Sequence, residues 1–298
     1  MSGDHGHPHS AAGESKGKLK IVLALTSCYL LAEVIGAVVT HSLALLAEAG
    51  HMLTDVSGLA LALMAIKFAE RPATPERTYG YYRVEILAAL ANAVVLMTLC
   101  VYILIEAYQR LRNPPVVAGK TVLVVAGFGL LVNVIGVWLL RKSSGGSLNV
   151  RSAYYEVFSD MLTAIGVIIA AVIMMTTHWY YADPLISAAI GLFILPRTWM
   201  LLKEAVGVLL EGTPSDVSLP ALRAALGALP GVTGIHDLHV WTLTSGVNAM
   251  SAHVVTPDTS VHDVILTSVH ECVTGDFKIE HVTVQVEEEG WKDCEAHL

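Results

Sequence analysis

Six apolar runs of about 20 residues or more, at about residues 19–40, 42–69, 84–109, 119–140, 150–177 and 184–203, dominate this 298-residue chain. A run of that length crosses a hydrocarbon core as a helix, because a helix satisfies its own backbone where no water is present. The composition agrees: 54% of the residues are hydrophobic, 15% are charged and the mean hydropathy is +0.60, outside the usual soluble-globular range. The expectation is an α-helical polytopic membrane protein with six transmembrane helices. An even number of spans puts both termini on one side.

The charges between the runs choose that side. Lys16, Lys18 and Lys20 precede the first run, Arg71, Arg77 and Arg83 fill the second connection, and Arg141, Lys142 and Arg151 fill the fourth. The remaining connections hold Arg110, Arg112 and Lys120, so the positive-inside bias makes both termini cytoplasmic. The polar first 18 residues do not read as a cleaved signal peptide. Cys28, Cys100, Cys272 and Cys294 are scattered without a C-x-x-C pair, which argues against a disulfide framework.

From about residue 206 the apolar runs stop and a soluble domain is expected, following a cytoplasmic tail over 1–18 and a membrane domain over 19–205. Its pattern predicts helix 216–228, strand 235–243, a turn at Ser245-Gly246, strand 247–255, helix 261–274 and strand 279–287. This αββαβ order fits a small α+β ferredoxin-like sandwich. The domain carries thirteen Asp and Glu against Arg223, Lys278 and Lys292. That excess aids solubility or concentrates cations, and it disfavours nucleic acid as a partner.

The chemistry sits inside the lipid. An ionisable side chain at bilayer depth costs roughly 2.5–3.5 kcal/mol on insertion scales, so it signals function by default. In "LLAEAGHMLTDVSG", His51 and Asp55 stand four apart, on one face of a helix and one turn from each other. "YYEVFSDMLTAIG" repeats the spacing with Glu156 and Asp160. One imidazole and three carboxylates from two packed helices supply the four ligands that Zn²⁺ favours. The cation balances charges that are otherwise intolerable in lipid, and an empty site holds protons, since crowded buried carboxylates cannot all stay charged. A lone intramembrane acid is often a helix-helix hydrogen bond, and Glu48 reads as that or as an edge residue; two matched pairs are harder to explain that way. Gly50, Gly58, Ala60 and Ala62 in the second run, and Ala164, Gly166, Ala170 and Ala171 in the fifth, permit close helix approach. Glu33 and Asp183 are left open, whereas Asn92 and Asn133 are expected to bridge helices.

The stretches "HSLALLAEAGHMLTDVSGLALAL", "YGYYRVEILAALANAVV", "DMLTAIGVIIAA" and "DPLISAAIGLFIL" resemble the cation diffusion facilitator family, most closely its bacterial cadmium-zinc-cobalt efflux branch, over about residues 18–288. The resemblance implies a homodimer in the bacterial inner membrane that exchanges a cytoplasmic divalent metal for protons by alternating access between spans two and five. His51, Asp55 and Asp160 match the family's ligands. Glu156 stands where zinc-type members usually carry His, and "RPATPERTYGYYRVE" has Tyr81 where some members place a histidine of a further loop site. An oxygen ligand at 156 moves the site away from soft-ligand selectivity, leaving Zn²⁺ with Co²⁺ and Cd²⁺ as cargo. No organic cofactor is implied.

In the cytoplasmic domain the resemblance implies regulatory zinc at His236 and His253, with Gln285 in place of a last-strand His; Glu287, His270, Cys272 or His281 can complete that site, and Glu287 is the first choice. Strand alternation predicts His236 and His239 on opposite faces. His5, His7 and His9 form a short tract suited to weak metal capture. Two other classes fit less well: an intramembrane metalloenzyme lacks an H-E-x-x-H helix or a nucleophile paired with a base, and a metal sensor leaves the intramembrane pairs without a purpose. The chain reads as a transporter, not an enzyme.

Overall fold

The computed structural model describes the backbone of residues 9–69, 73–141, 148–257 and 259–289, and side chains from residue 24 onward except at 25, 59, 62–63, 65–69, 136, 139–141, 148–156 and 259. The side chains of His5, His7, His9 and Glu156 thus lie outside the described residues. Six long helices come first: α1 (His9–Thr40), α2 (Leu43–Ala69), α3 (Arg83–Arg110), α4 (Gly119–Arg141), α5 (Leu148–Thr177) and α6 (Ala182–Leu209). Then follow α7 (Leu219–Gly227), β1 (Gly234–Thr244), β2 (Val247–Thr256), a 3₁₀ turn (Thr259–Val261), α8 (His262–Asp276) and β3 (His281–Glu288). Each apolar run becomes a helix, although α1 starts ten residues earlier than its run and α6 continues past it to Leu209. Helical hydrogen bonding does not need lipid, so a helix can outlast the apolar stretch that specifies it.

Among the described residues, three helices are long and apolar enough to cross a membrane: Arg83–Arg110, Val157–Thr177 and Ala182–Leu209. Thr26–Thr40 and Gly119–Ile135 are shorter apolar helices. The outward surfaces match a lipid solvent. Leu31, Ile35, Val38 and Val39 of α1 are each at least 60% exposed, a stripe that water would penalise.

The chain divides into two compact units, Met1–Lys67 with Ala91–Leu202, and Phe68–Leu90 with Lys203–Leu298. The core of the first joins Leu43, Leu45, Ile103, Val122, Val167 and Met174 to the alanines between them. Its small residues do a different job from the one expected. A Cβ on Gly119 of α4 would lie 3.3 Å from the Ala171 carbonyl of α5, and one on Gly50 would lie 2.9 Å from Leu99 of α3. Ala171 thus serves the α4–α5 contact and Gly50 the α2–α3 contact, while a Cβ on Gly58 would meet nothing within 4 Å. The expected α2–α5 approach does not run through these glycines, because packing direction depends on which helix face each residue occupies.

Asp183, left open by the sequence, is fully buried and closes one end of this unit. Ser42 caps α2 by accepting from the Leu45 amide at 3.2 Å, and its hydroxyl donates to Asp183 Oδ1 at 2.6 Å. The Leu43 and Ala44 amides donate to the same carboxylate at 2.8 and 3.2 Å. Asp183, in the first turn of α6, therefore satisfies backbone donors that α2 cannot satisfy itself. Arg110, at the last turn of α3, adds a cation 3.6 Å from Asp183 Oδ2 and donates to the His41 carbonyl at 2.5 Å.

In the second unit the three strands form one sheet in the order β1-β2-β3, with β1 and β2 antiparallel and β2 and β3 parallel. Ser245-Gly246 makes the β1–β2 turn, where Gly246 adopts φ 76°, a left-handed conformation suited to glycine. One sheet face carries Val240, Met250, Ala252 and Val254 and packs with Leu222 and Leu226 of α7 and Ile265, Val269 and Val273 of α8. The start of α3 and the segment before it belong to this unit: Arg83 pairs with Glu211 at 2.8 Å, and Glu85 accepts from Ser245 at 2.9 Å and from Thr244.

Candidate metal centre

The α2 and α5 pairs occupy equivalent positions, since His51 and Asp55 are the ninth and thirteenth residues of α2, and Glu156 and Asp160 those of α5. The structure brings three of these four side chains together. His51 Nε2 lies 3.5 Å from Asp160 Oδ1, and His51 Nδ1 lies 3.9 Å from Asp55 Oδ2. One ligand atom from each of His51, Asp55 and Asp160 falls within 4.8 Å of the others. His51 and Asp160 are 5% and 8% exposed, so this polar cluster has little access to water. Glu156, one turn before Asp160, has no described side chain.

The neighbours hold the cluster in place. The Thr163 hydroxyl lies 2.9 Å from both Glu48 Oε1 and the Asp160 carbonyl, so it links α2 to α5 one turn from the ligands. Glu48 thus makes a helix-helix hydrogen bond, the first of its two plain readings, while its Oε2 is buried without a hydrogen-bond partner among the described residues. Phe193 of α6 packs against the His51 ring with centroids 6.5 Å apart, which limits the ring's rotation. Chemically, one nitrogen and two oxygen donors from separate helices suit a small divalent cation. Asn133 is buried, and its Nδ2 has no hydrogen-bond partner among the described residues.

The cytoplasmic cluster also assembles, with one correction. β1 contains a bulge between His236 and His239: these residues face His253 and Ser251, which are only two apart on β2. Three steps along β1 thus match two along β2, so His236 and His239 share a face instead of opposing each other. The extra residue lies at Asp237-Leu238, and Asp237 adopts φ 46°, a left-handed conformation that Asp tolerates better than most side chains. A period-two reading could not contain this shift.

Glu287 Oε1 contacts His236 Nε2, and Glu287 Oε2 lies 3.4 Å from His253 Nδ1. Asp237 Oδ2 is 3.5 Å from His236 Nδ1, and ligand atoms of His236, Asp237 and His253 lie within 4.8 Å of one another. Sequence reasoning missed Asp237, although its place beside His236 was visible. Gln285 stands opposite His253 in the parallel ladder and donates to Glu287 Oε2 at 3.3 Å. Of the other candidates, His270 and Cys272 lie on α8, on the helix-covered side of the sheet. Burial and the nearby Asp276 push the Cys272 thiol up. His281 stacks edge-on with Tyr79, centroids 5.6 Å apart, and His239 lines a separate cavity of about 520 Å³ with Arg83, Glu211 and Trp241.

Residues 19–210 match the family model for the cation efflux transmembrane domain, and residues 214–289 match that for the cation efflux protein cytoplasmic domain. The chain is a cation diffusion facilitator of the cadmium-cobalt-zinc branch. This facilitator is 48% identical over 284 residues to the metal cation efflux system protein CzcD of Cupriavidus metallidurans, covering 95% of this chain and 90% of that one. It is 40% identical over 289 residues to a cadmium, cobalt and zinc/H(+)-K(+) antiporter of Bacillus velezensis, covering 95% and 92%. It is 37% identical over 302 residues to the zinc transporter ZitB of Escherichia coli, covering 100% and 96%. A solved metal-bound C-terminal domain of the Cupriavidus transporter is 38% identical, covering 24% of this chain and 99% of that one, with a TM-score of 0.23. The facilitator is a multi-pass membrane protein with a C-terminal domain built on a small sheet.

Proposed function

We propose that this facilitator exports Zn²⁺, together with Co²⁺ and Cd²⁺, from the cytoplasm in exchange for protons, using His51, Asp55, Glu156 and Asp160 as its transport site. One observation carries the reading: His51, Asp55 and Asp160, donated by two different helices, converge in a buried cluster inside the apolar unit. With its three carboxylates ionised the site sums to minus three, and a divalent cation leaves minus one. Protons supply the alternative neutralisation, so cation entry expels them and proton entry releases the cation. Alternating access between α2 and α5 turns that exchange into transport.

The membrane arrangement proposed is six spans, α1 to α6, in the bacterial inner membrane with both termini cytoplasmic. Even α4, with 23 residues of helical backbone, extends about 35 Å, enough for a core of about 30 Å. The domains proposed are a tail over 1–18 in which His5, His7 and His9 collect metal weakly, a membrane domain over 19–205, and a ferredoxin-like cytoplasmic domain over 206–298. In the last, His236, His253 and Glu287 bind regulatory metal beside Asp237, and the chain works as a homodimer. Metal that prefers one arrangement of two such domains shifts the population toward it. No enzymatic step, organic cofactor or nucleic acid enters this scheme.

Purified protein in sealed liposomes, with internal zinc and pH followed together under an imposed proton gradient, tests the proposal. The expected result is zinc movement coupled to opposite proton movement, lost in Asp160→Asn. Zinc binding without flux would convert the reading to a sensor.

A further inference from the structure

Glu33 of α1 belongs to neither metal cluster, yet it is fully buried inside the membrane unit. Both carboxyl oxygens are buried without a hydrogen-bond partner. The Tyr29 hydroxyl, one turn earlier, is a donor close beside them. That hydroxyl is itself held in place by α4. A Cβ on Gly129 would lie 1.5 Å from Tyr29 Oη, so Tyr29 occupies space that only glycine leaves open.

The surroundings decide what form Glu33 takes. Tyr29 faces it from its own helix, Glu48 from α2 and Asp160 from α5, and these interact electrostatically with Glu33. α4 contributes no ionisable group between Lys120 and Arg141. No cation is among these neighbours. A fully buried carboxyl group with a phenol hydroxyl beside it, no counter-ion and two further acids around it is tolerated in lipid as the neutral acid. A buried acid that serves packing alone would be replaced by an apolar side chain at a gain in stability.

We propose that Glu33 is a proton-binding site of the transport cycle, charged when a divalent cation occupies the His51, Asp55 and Asp160 cluster and protonated when that cluster is empty. The cation's positive field replaces the proton: O–H of Glu33 breaks, the electron pair stays on the carboxylate, and the proton leaves to bulk water as one of those exchanged for the metal. This rests on the antiporter reading and adds to it a proton site on α1.

The test uses the full-length protein in detergent and zinc chloride as the probe. Protons released per zinc bound are measured with a pH dye in weak buffer, and zinc affinity is measured across pH. Glu33→Gln is expected to bind zinc, to release about one proton fewer, and to show a slope of log affinity against pH smaller by about one. Unchanged proton release and slope would overturn the inference while leaving the antiporter reading standing. Loss of zinc binding in Glu33→Gln at every pH would overturn it too, by making Glu33 a ligand or a packing residue. If Glu33→Gln does not fold, the wild-type infrared difference spectrum on zinc addition decides: a protonated-carboxyl band that disappears, and that shifts in Glu33→Asp, supports the inference, and the absence of such a band refutes it. Should Asp160→Asn retain coupled transport, the antiporter site itself would fall, independently of Glu33.

Discussion

Replacing Asp183 by alanine removes the acceptor for the Leu43 and Ala44 amides and the Ser42 hydroxyl, three donors within 3.2 Å of one fully buried carboxylate. A methyl group reaches none of them. Two backbone amides are left without partners at about 1–3 kcal/mol each, and Arg110 loses its buried counter-ion. Ser42 can recover by turning its hydroxyl, so the net cost is roughly 3–5 kcal/mol. At about 2–4 °C per kcal/mol, the expected fall in Tm is roughly 10 °C. Cys100, buried in α3, supplies the readout once Cys28, Cys272 and Cys294 are replaced by serine: detergent-solubilised protein is heated with a thiol-reactive dye that reports when this side chain opens. Asp183→Asn keeps one acceptor oxygen but turns an amide toward a backbone N–H, so its Tm should fall between those of wild type and alanine. Ser42→Ala, which removes one side-chain cap, should cost about 1 kcal/mol. A fall below about 2 °C for Asp183→Ala would refute the trans-capping account.

Gly129→Ala places a Cβ 1.5 Å from Tyr29 Oη and 2.2 Å from its Cζ, and is expected to cost about 1–3 kcal/mol in thermal unfolding; adding Tyr29→Ala should recover part of that loss, and strictly additive costs would count against the contact. Glu287→Ala removes the carboxylate that touches both His236 and His253, so zinc titration of the cytoplasmic cluster should weaken at least tenfold, with zinc flux through the membrane site retained at saturating metal. Glu156→His replaces a carboxylate with a group titrating near neutrality. Zinc transport should persist with a changed pH profile and metal ranking, and identical profiles would refute a ligand role for Glu156.

The intramembrane centre was legible because both its pairs obey one local rule. Four residues make roughly one helical turn, so His51-Asp55 and Glu156-Asp160 announce a shared face wherever the helix packs. Residue identity alone marked them, since charge is costly in lipid. The cytoplasmic centre was half legible: His236, His253 and Glu287 were recognisable as ligand types, but the bulge at Asp237 moved His239 to their face and brought Asp237 alongside His236. Alternation describes a regular strand, and an inserted residue breaks it without any compositional trace.

Sequence by itself determined the six apolar helices, the αββαβ order and the donor types of the transport cluster, because hydrophobic length, period and charge in lipid are local properties. Tertiary structure alone decided the rest. Ser42 and Asp183, 141 residues apart, meet only when α2 and α6 begin side by side. Gly129 is sensitive to substitution only because Tyr29 of another helix fills the space its Cβ would take. Glu33 looked like one more polar residue in an apolar run; packing buries it completely and sets it among Tyr29 of its own helix, Glu48 of α2 and Asp160 of α5.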